Sequence, residues 1–170
     1  FYASNDMKVE SGSLEETLEF MLPTRGGDVV YFNGNTVTPA AGPFAMANGV
    51  LFDAANQIIY VAETMKSRVH SFRRDPATGA LTPLSTRKAG LFADNFSMDA
   101  NGDLYVAGML NMFSFPAHME NAGIPAASAI AKFTAQPSGD VLAASAERIM
   151  TASGRPEFGA HAGLSAISIA

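Results

Sequence analysis

Apolar and polar positions alternate with a period of two along most of this chain. Arg68-Val69-His70-Ser71-Phe72 alternates as a half-exposed strand should. Asp28-Val29-Val30-Tyr31-Phe32 and Ile58-Ile59-Tyr60-Val61-Ala62-Glu63 are short β-branched and aromatic runs bounded by turn formers. The pattern predicts strands over 1–4, 28–32, 35–38, 48–53, 58–63, 68–72, 81–84, from 95 onward, 103–107, 111–115, 128–134, 146–151 and 164–170. Asn33-Gly34 is a strong hairpin signal. Residues 54–57, 75–79 and 100–102 read as further turns, 39–45 as loop and 153–163 as a glycine-rich loop. Two stretches break the strand rhythm. Ser13-Leu14-Glu15-Glu16 has the serine and trailing glutamate of a helix start, with Pro23 as a stop, so a short helical insertion is expected near 13–22. Residues 118–122 suggest a second helical turn.

The strands repeat. Asn48 and Asp94 are 46 residues apart, and so are Asp53 and Asp99, while Asn5 precedes Asn48 by 43. A strand-rich unit recurring every ~40–50 residues is the pattern of a β-propeller blade. The 170 residues make fewer than four such blades, and an open stack of blades would leave two sheet flanks uncovered. Residues 1–170 are therefore expected to be the C-terminal part of a single propeller domain, roughly three to four blades of it, completed by a separate or missing N-terminal segment of the same protein.

The repeat also places chemistry. Asn5, Asn48, Asp94 and Asn95 stand at strand edges in successive units, where first strands of propeller blades converge. Hard oxygen donors meeting there suggest a calcium site with little ligand charge, and Asp6 is placed to share it or to hold a second ion. The same residues are also common turn formers before strands. A net charge of −5 and a pI near 5.1 argue against nucleic acid as a partner and suit a cation. With no cysteine, disulfides and thiolate metal sites are excluded. No apolar run reaches the ~20 residues of a transmembrane helix. No signal peptide pattern is read, and the compartment stays open, an extracellular one included. His70, His118 and His161 lack metal-ligand spacing; His70 reads as half-exposed, and the other two are weak general-base candidates. Glu63 ends a strand and reads as a solvated strand end in preference to one that faces a cleft.

Three segments in order carry a family likeness. Phe1-Tyr2-Ala3-Ser4-Asn5-Asp6 with the helical insertion and residues 28–32, Ala47-Asn48-Gly49 with residues 59–63, and Ala93-Asp94-Asn95 with residues 103–106 together resemble the middle of the paraoxonase/arylesterase family. The resemblance implies an all-β, six-bladed propeller, with this chain as its C-terminal portion and two calcium ions in the central tunnel. It implies that Asn5, Asn48, Asp94 and Asn95 bind the catalytic calcium and Asp6 the structural one. The catalytic base would lie outside this chain, and Met109 stands near where the family places a further histidine. Met109, Phe113 or Phe44 would line an apolar pocket. The implied reaction is calcium-dependent hydrolysis of a small-molecule lactone or aryl ester by water. The alternatives are a gluconolactonase-like or strictosidine-synthase-like propeller enzyme, and a non-catalytic calcium-binding scaffold.

Overall fold

The computed structural model describes residues 1–6, 26–121 and 123–153. The helical insertion expected near 13–22, the closing strand at 164–170, His161 and most of the glycine-rich loop lie outside the described residues.

The described residues form eleven strands in three antiparallel sheets, each a simple meander. The first sheet is β1 (Tyr2–Asn5), β2 (Gly27–Phe32) and β3 (Val37–Phe44). The second is β4 (Ala47–Asp53), β5 (Ile58–Glu63), β6 (Arg68–Arg74) and β7 (Leu81–Lys88). The third is β8 (Phe92–Met98), β9 (Leu104–Met109), β10 (Ser128–Phe133) and β11 (Glu147–Ala152). The first strands of the three sheets are neighbours, with β4 between β1 and β8. This is a propeller-like, all-β arrangement.

The unbroken apolar run of β5 now has a reason. Ile58, Tyr60 and Ala62 face one core, which they share with Leu104, Val106, Ala131 and Phe133 of the third sheet. Ile59 and Val61 face a second core with Val29 and Phe44 of the first sheet. A strand covered on both faces reads as continuous hydrophobicity instead of alternation.

The 46-residue repeat of aspartates marks the β4–β5 and β8–β9 hairpins. Asp53 Oδ1 accepts the N–H groups of Ala55 and Asn56, and Asp99 Oδ1 accepts those of Asn101 and Asp103. Each carboxylate satisfies turn amides that the ladder leaves free. Two expectations fail. Residues 39–45 are not loop, because β3 continues through Pro39 and Pro43 to Phe44. β3 is the outer strand of its sheet, where a missing N–H costs no ladder bond. Residues 111–115 are not a strand. A bend there leads into the helix α1 (Ser114–Glu120), with Asn111 Oδ1 accepting the Phe113 N–H.

The second and third sheets are also tied by polar contacts. Asp140, buried in the β10–β11 connection, accepts the Ser71 hydroxyl at 2.9 Å and the Leu142 N–H at 3.1 Å. The Tyr60 hydroxyl accepts the Val141 N–H at 3.3 Å, and burial pushes its pKa up to about 12. Asp140→Ala strands the Ser71 hydroxyl and the Leu142 amide in a buried site. We expect it to cost about 2–3 kcal/mol in chemical denaturation, since each bond is made to a charged acceptor.

Candidate functional site

β4 and β8 break their ladders at equivalent points. Ala47 pairs with Glu63 and Val50 with Val61, so Asn48 and Gly49 together oppose Ala62. Ala93 pairs with Gly108 and Phe96 with Val106, so Asp94 and Asn95 together oppose Ala107. Each is a β-bulge, which adds one residue, bends the strand and re-aims its side chains. The repeat of polar residues is thus a repeat of bulges.

The two bulges touch. A Cβ placed on Gly49 would stand 2.2 Å from the Asp94 carbonyl oxygen, so only glycine allows this approach. The Asn48 side-chain amide stands beside the Asp94 carboxylate and favours its charged form. Burial pushes the Asp94 carboxyl above its ordinary 3.8, and the Asn48 amide offsets this only in part. A half-buried carboxylate opposed by an amide, with no cationic side chain compensating it among the described residues, suits a metal ion better than a structural ion pair.

Asn5 ends β1, and Asp6 follows it; both are exposed. Their carbonyl oxygens lie 3.0 and 2.7 Å from where a Gly27 Cβ would stand, and the Ala47 nitrogen lies 2.7 Å from the same point. Gly27 therefore lets the end of β1 meet the start of β4. Asn95 is exposed on the β8 bulge. The structure thus brings the side chains of Asn48 and Asp94 together and sets Asn95 on the same bulge as Asp94. Asn5 and Asp6 stand at the neighbouring strand end. Among the described residues no three His, Cys, Asp or Glu side chains converge. The donors here are chiefly amide oxygens with one or two carboxylates, a set that fits calcium and not zinc.

Sequence reading misplaced several residues. Glu63 is no solvated strand end: it is 3% exposed, and its Oε1 accepts the Ala45 N–H at 3.0 Å. Its Oε2 lies 2.9 Å from His70 Nε2, and His70 Nδ1 lies 2.9 Å from Thr86 Oγ1. Burial alone would raise the Glu63 pKa, but the His70 and Ala45 hydrogen bonds and the Arg68 charge hold it below the ordinary value. The diagonal pairing was legible in principle, because Glu63 opposes Arg68 and Val61 opposes His70 once the hairpin is drawn. His118 is buried on α1, with Nδ1 at 2.6 Å from the Ile124 carbonyl oxygen. Of the candidate pocket residues, Phe44 and Met109 are buried and Phe113 is exposed.

Comparison with known proteins adds a family. Residues 1–138 match the arylesterase family profile. Serum paraoxonase/arylesterase 2 of Rattus norvegicus is 33% identical over 107 residues, 62% of this chain and 30% of that protein. Human serum paraoxonase/arylesterase 1 is 31% identical over the same shares. The chain thus spans about a third of the length of these relatives. Among solved structures, a luciferin-regenerating enzyme superposes with a TM-score of 0.57 at 17% identity, covering 91% of this chain and 42% of that one. That likeness concerns the fold.

Proposed function

From the premise that this chain belongs to the arylesterase family, we propose that it carries the calcium-binding face of a hydrolase acting on lactones or aryl esters. The observation that carries the reading is the matched pair of bulges, which meet where Gly49 lies against the Asp94 carbonyl. Two strands distort at the same position to aim oxygen donors at one place, which a purely structural sheet does not need.

Asn48, Asp94, Asn95 and Asn5 are the residues that would hold the catalytic ion, and Asp6 is assigned to a second one. When bound, calcium supplies a Lewis acid that polarises the scissile carbonyl and stabilises the developing oxyanion. Asp94 contributes the negative charge, and its low solvation keeps that charge available to a cation. The amides contribute oxygen without further charge, which leaves the site electrophilic. The Gly49–Asp94 backbone contact fixes the spacing of the two bulges. In the same reading the three sheets are blades of a six-bladed propeller. In the same reading the general base and a complementary N-terminal segment would be supplied by other residues.

The test is turnover of an apolar lactone and of an aryl ester before and after chelation. Activity should vanish with EDTA and return with calcium but not with magnesium, which tolerates such a loose oxygen set poorly. Turnover that persists after exhaustive chelation would sink the proposal. Preference for sugar lactones would move the protein toward the gluconolactonase-like reading. Calcium binding without any turnover, with the complementary segment present, would leave a scaffold.

A further inference from the structure

The dipeptide Glu63-Thr64 touches the bend that leads into β4 and the start of β8, just before the candidate ligands. The Glu63 carboxylate takes the Ala45 N–H, and the Thr64 N–H donates to the Met46 carbonyl at 3.0 Å. Met65 N–H adds a bond to the Ala45 carbonyl at 3.2 Å. These three bonds hold the two residues that lead into Ala47 and Asn48, and Met46 adopts a left-handed φ of 63° there. On the other side the Thr64 hydroxyl donates to the Ala93 carbonyl at 2.6 Å, immediately before Asp94. Thr64 is fully buried, and Glu63 is locked by His70, itself held by Thr86 and packed between Phe44 and Phe72. The approach to Asn48 and the approach to Asp94 are thus fixed by adjacent residues, the last of β5 and the first of the short 3-10 turn Thr64–Lys66.

We propose that Glu63-Thr64 is a positioning clamp that sets the separation of the Asn48 and Asp94 bulges and so tunes the affinity of the site for calcium. Neither residue is a ligand. The Thr64 hydroxyl is the only side-chain bond in this clamp, among the described residues, that reaches β8. A hydroxyl at this position can act on Asp94 only through the backbone of Ala93. Because calcium binding is itself proposed, the clamp rests on that reading, and the test separates the two.

The test measures calcium affinity by titration calorimetry on the full chain, alongside melting temperature in EDTA. Thr64→Val removes the hydroxyl and keeps the shape; Thr64→Ser keeps the hydroxyl. We expect Thr64→Val to weaken calcium binding about tenfold and Thr64→Ser to stay within about twofold of the parent, since a 1.4 kcal/mol loss of alignment is a tenfold change. A merely structural threonine would lower the melting temperature of both variants without separating their affinities. Should Thr64→Val fail to fold, Glu63→Gln keeps an oxygen for the Ala45 amide but breaks the charged link to His70, and it should weaken binding about threefold. Unchanged affinity in the folded variants, with the parent binding calcium normally, overturns the clamp alone. A parent that takes up no calcium overturns both the clamp and the calcium reading.

Discussion

Asp94→Asn should lower kcat/KM for a lactone by about a thousandfold, the scale of losing an electrostatic group that supports the developing oxyanion. Without metal, the same variant should be as stable as the parent or more so at neutral pH. The reason is the raised pKa of the Asp94 carboxyl, caused first by burial and only partly relieved by Asn48. A carboxyl whose folded pKa lies above its ordinary 3.8 is ionised less readily in the folded state than in the unfolded one. The metal-free parent therefore loses stability as pH rises from 3.8 through the raised value, and asparagine removes that slope. Adding calcium should reverse the ranking, stabilising the parent far more than the variant by mass action. Melting curves at several pH values, with EDTA and with calcium, read all of this. An Asp94→Asn protein that keeps full activity and the same calcium-induced shift would remove Asp94 from the site. A residue whose loss abolishes activity while sparing the fold is the signature of a group retained for function.

Gly49→Ala should destabilise the protein by about 3 kcal/mol, the upper range for forced overpacking, and should abolish calcium binding even where the variant folds. The added Cβ would meet the Asp94 carbonyl oxygen at 2.2 Å and the Asn95 Cα at 3.2 Å. Both obstacles are backbone in a bulge, so no rotamer can yield. The strands must separate, and separation moves Asn48 away from the Asp94 carboxylate. Gly34 is the control. It lies in the exposed Asn33 turn, and a Cβ there meets nothing within 4 Å, so its cost comes from its positive φ of 104° alone. Chemical denaturation of the two variants separates steric contact from backbone strain. A Gly49→Ala protein within about 0.5 kcal/mol of the parent, the range of ordinary surface substitutions, would mean that the two bulges do not touch.

Much of the fold was legible because strands report themselves locally. The run from Ile58 to Glu63, the Asn33-Gly34 turn and the aspartates at 53 and 99 each state their structure through side-chain period or turn chemistry. Where local signals compete, the reading failed. Pro39 and Pro43 look like breakers, yet they sit in β3 because an outer strand has one edge without ladder bonds. Residues 111–115 alternate like a strand but enter α1, where the Asn111 side chain turns the chain first. Glu63 follows an apolar run and so resembles a strand end in water. Its burial depends on His70 across a hairpin and on Ala45 from the bend between β3 and β4.

For the candidate site, sequence alone determined which residues recur: a 46-residue period carries Asn48 onto Asp94 and Asp53 onto Asp99. Covalent order is enough for that, because a blade is a local unit that repeats along the chain. Only the tertiary structure decided that the recurring residues are bulges, that Gly49 lets two of them meet, and that Glu63 and Thr64 hold both approaches in place. Each of these is a contact between strands of different registers or sheets. Side-chain period records which way a residue faces, but not what another strand, tens of residues away, will place in front of it.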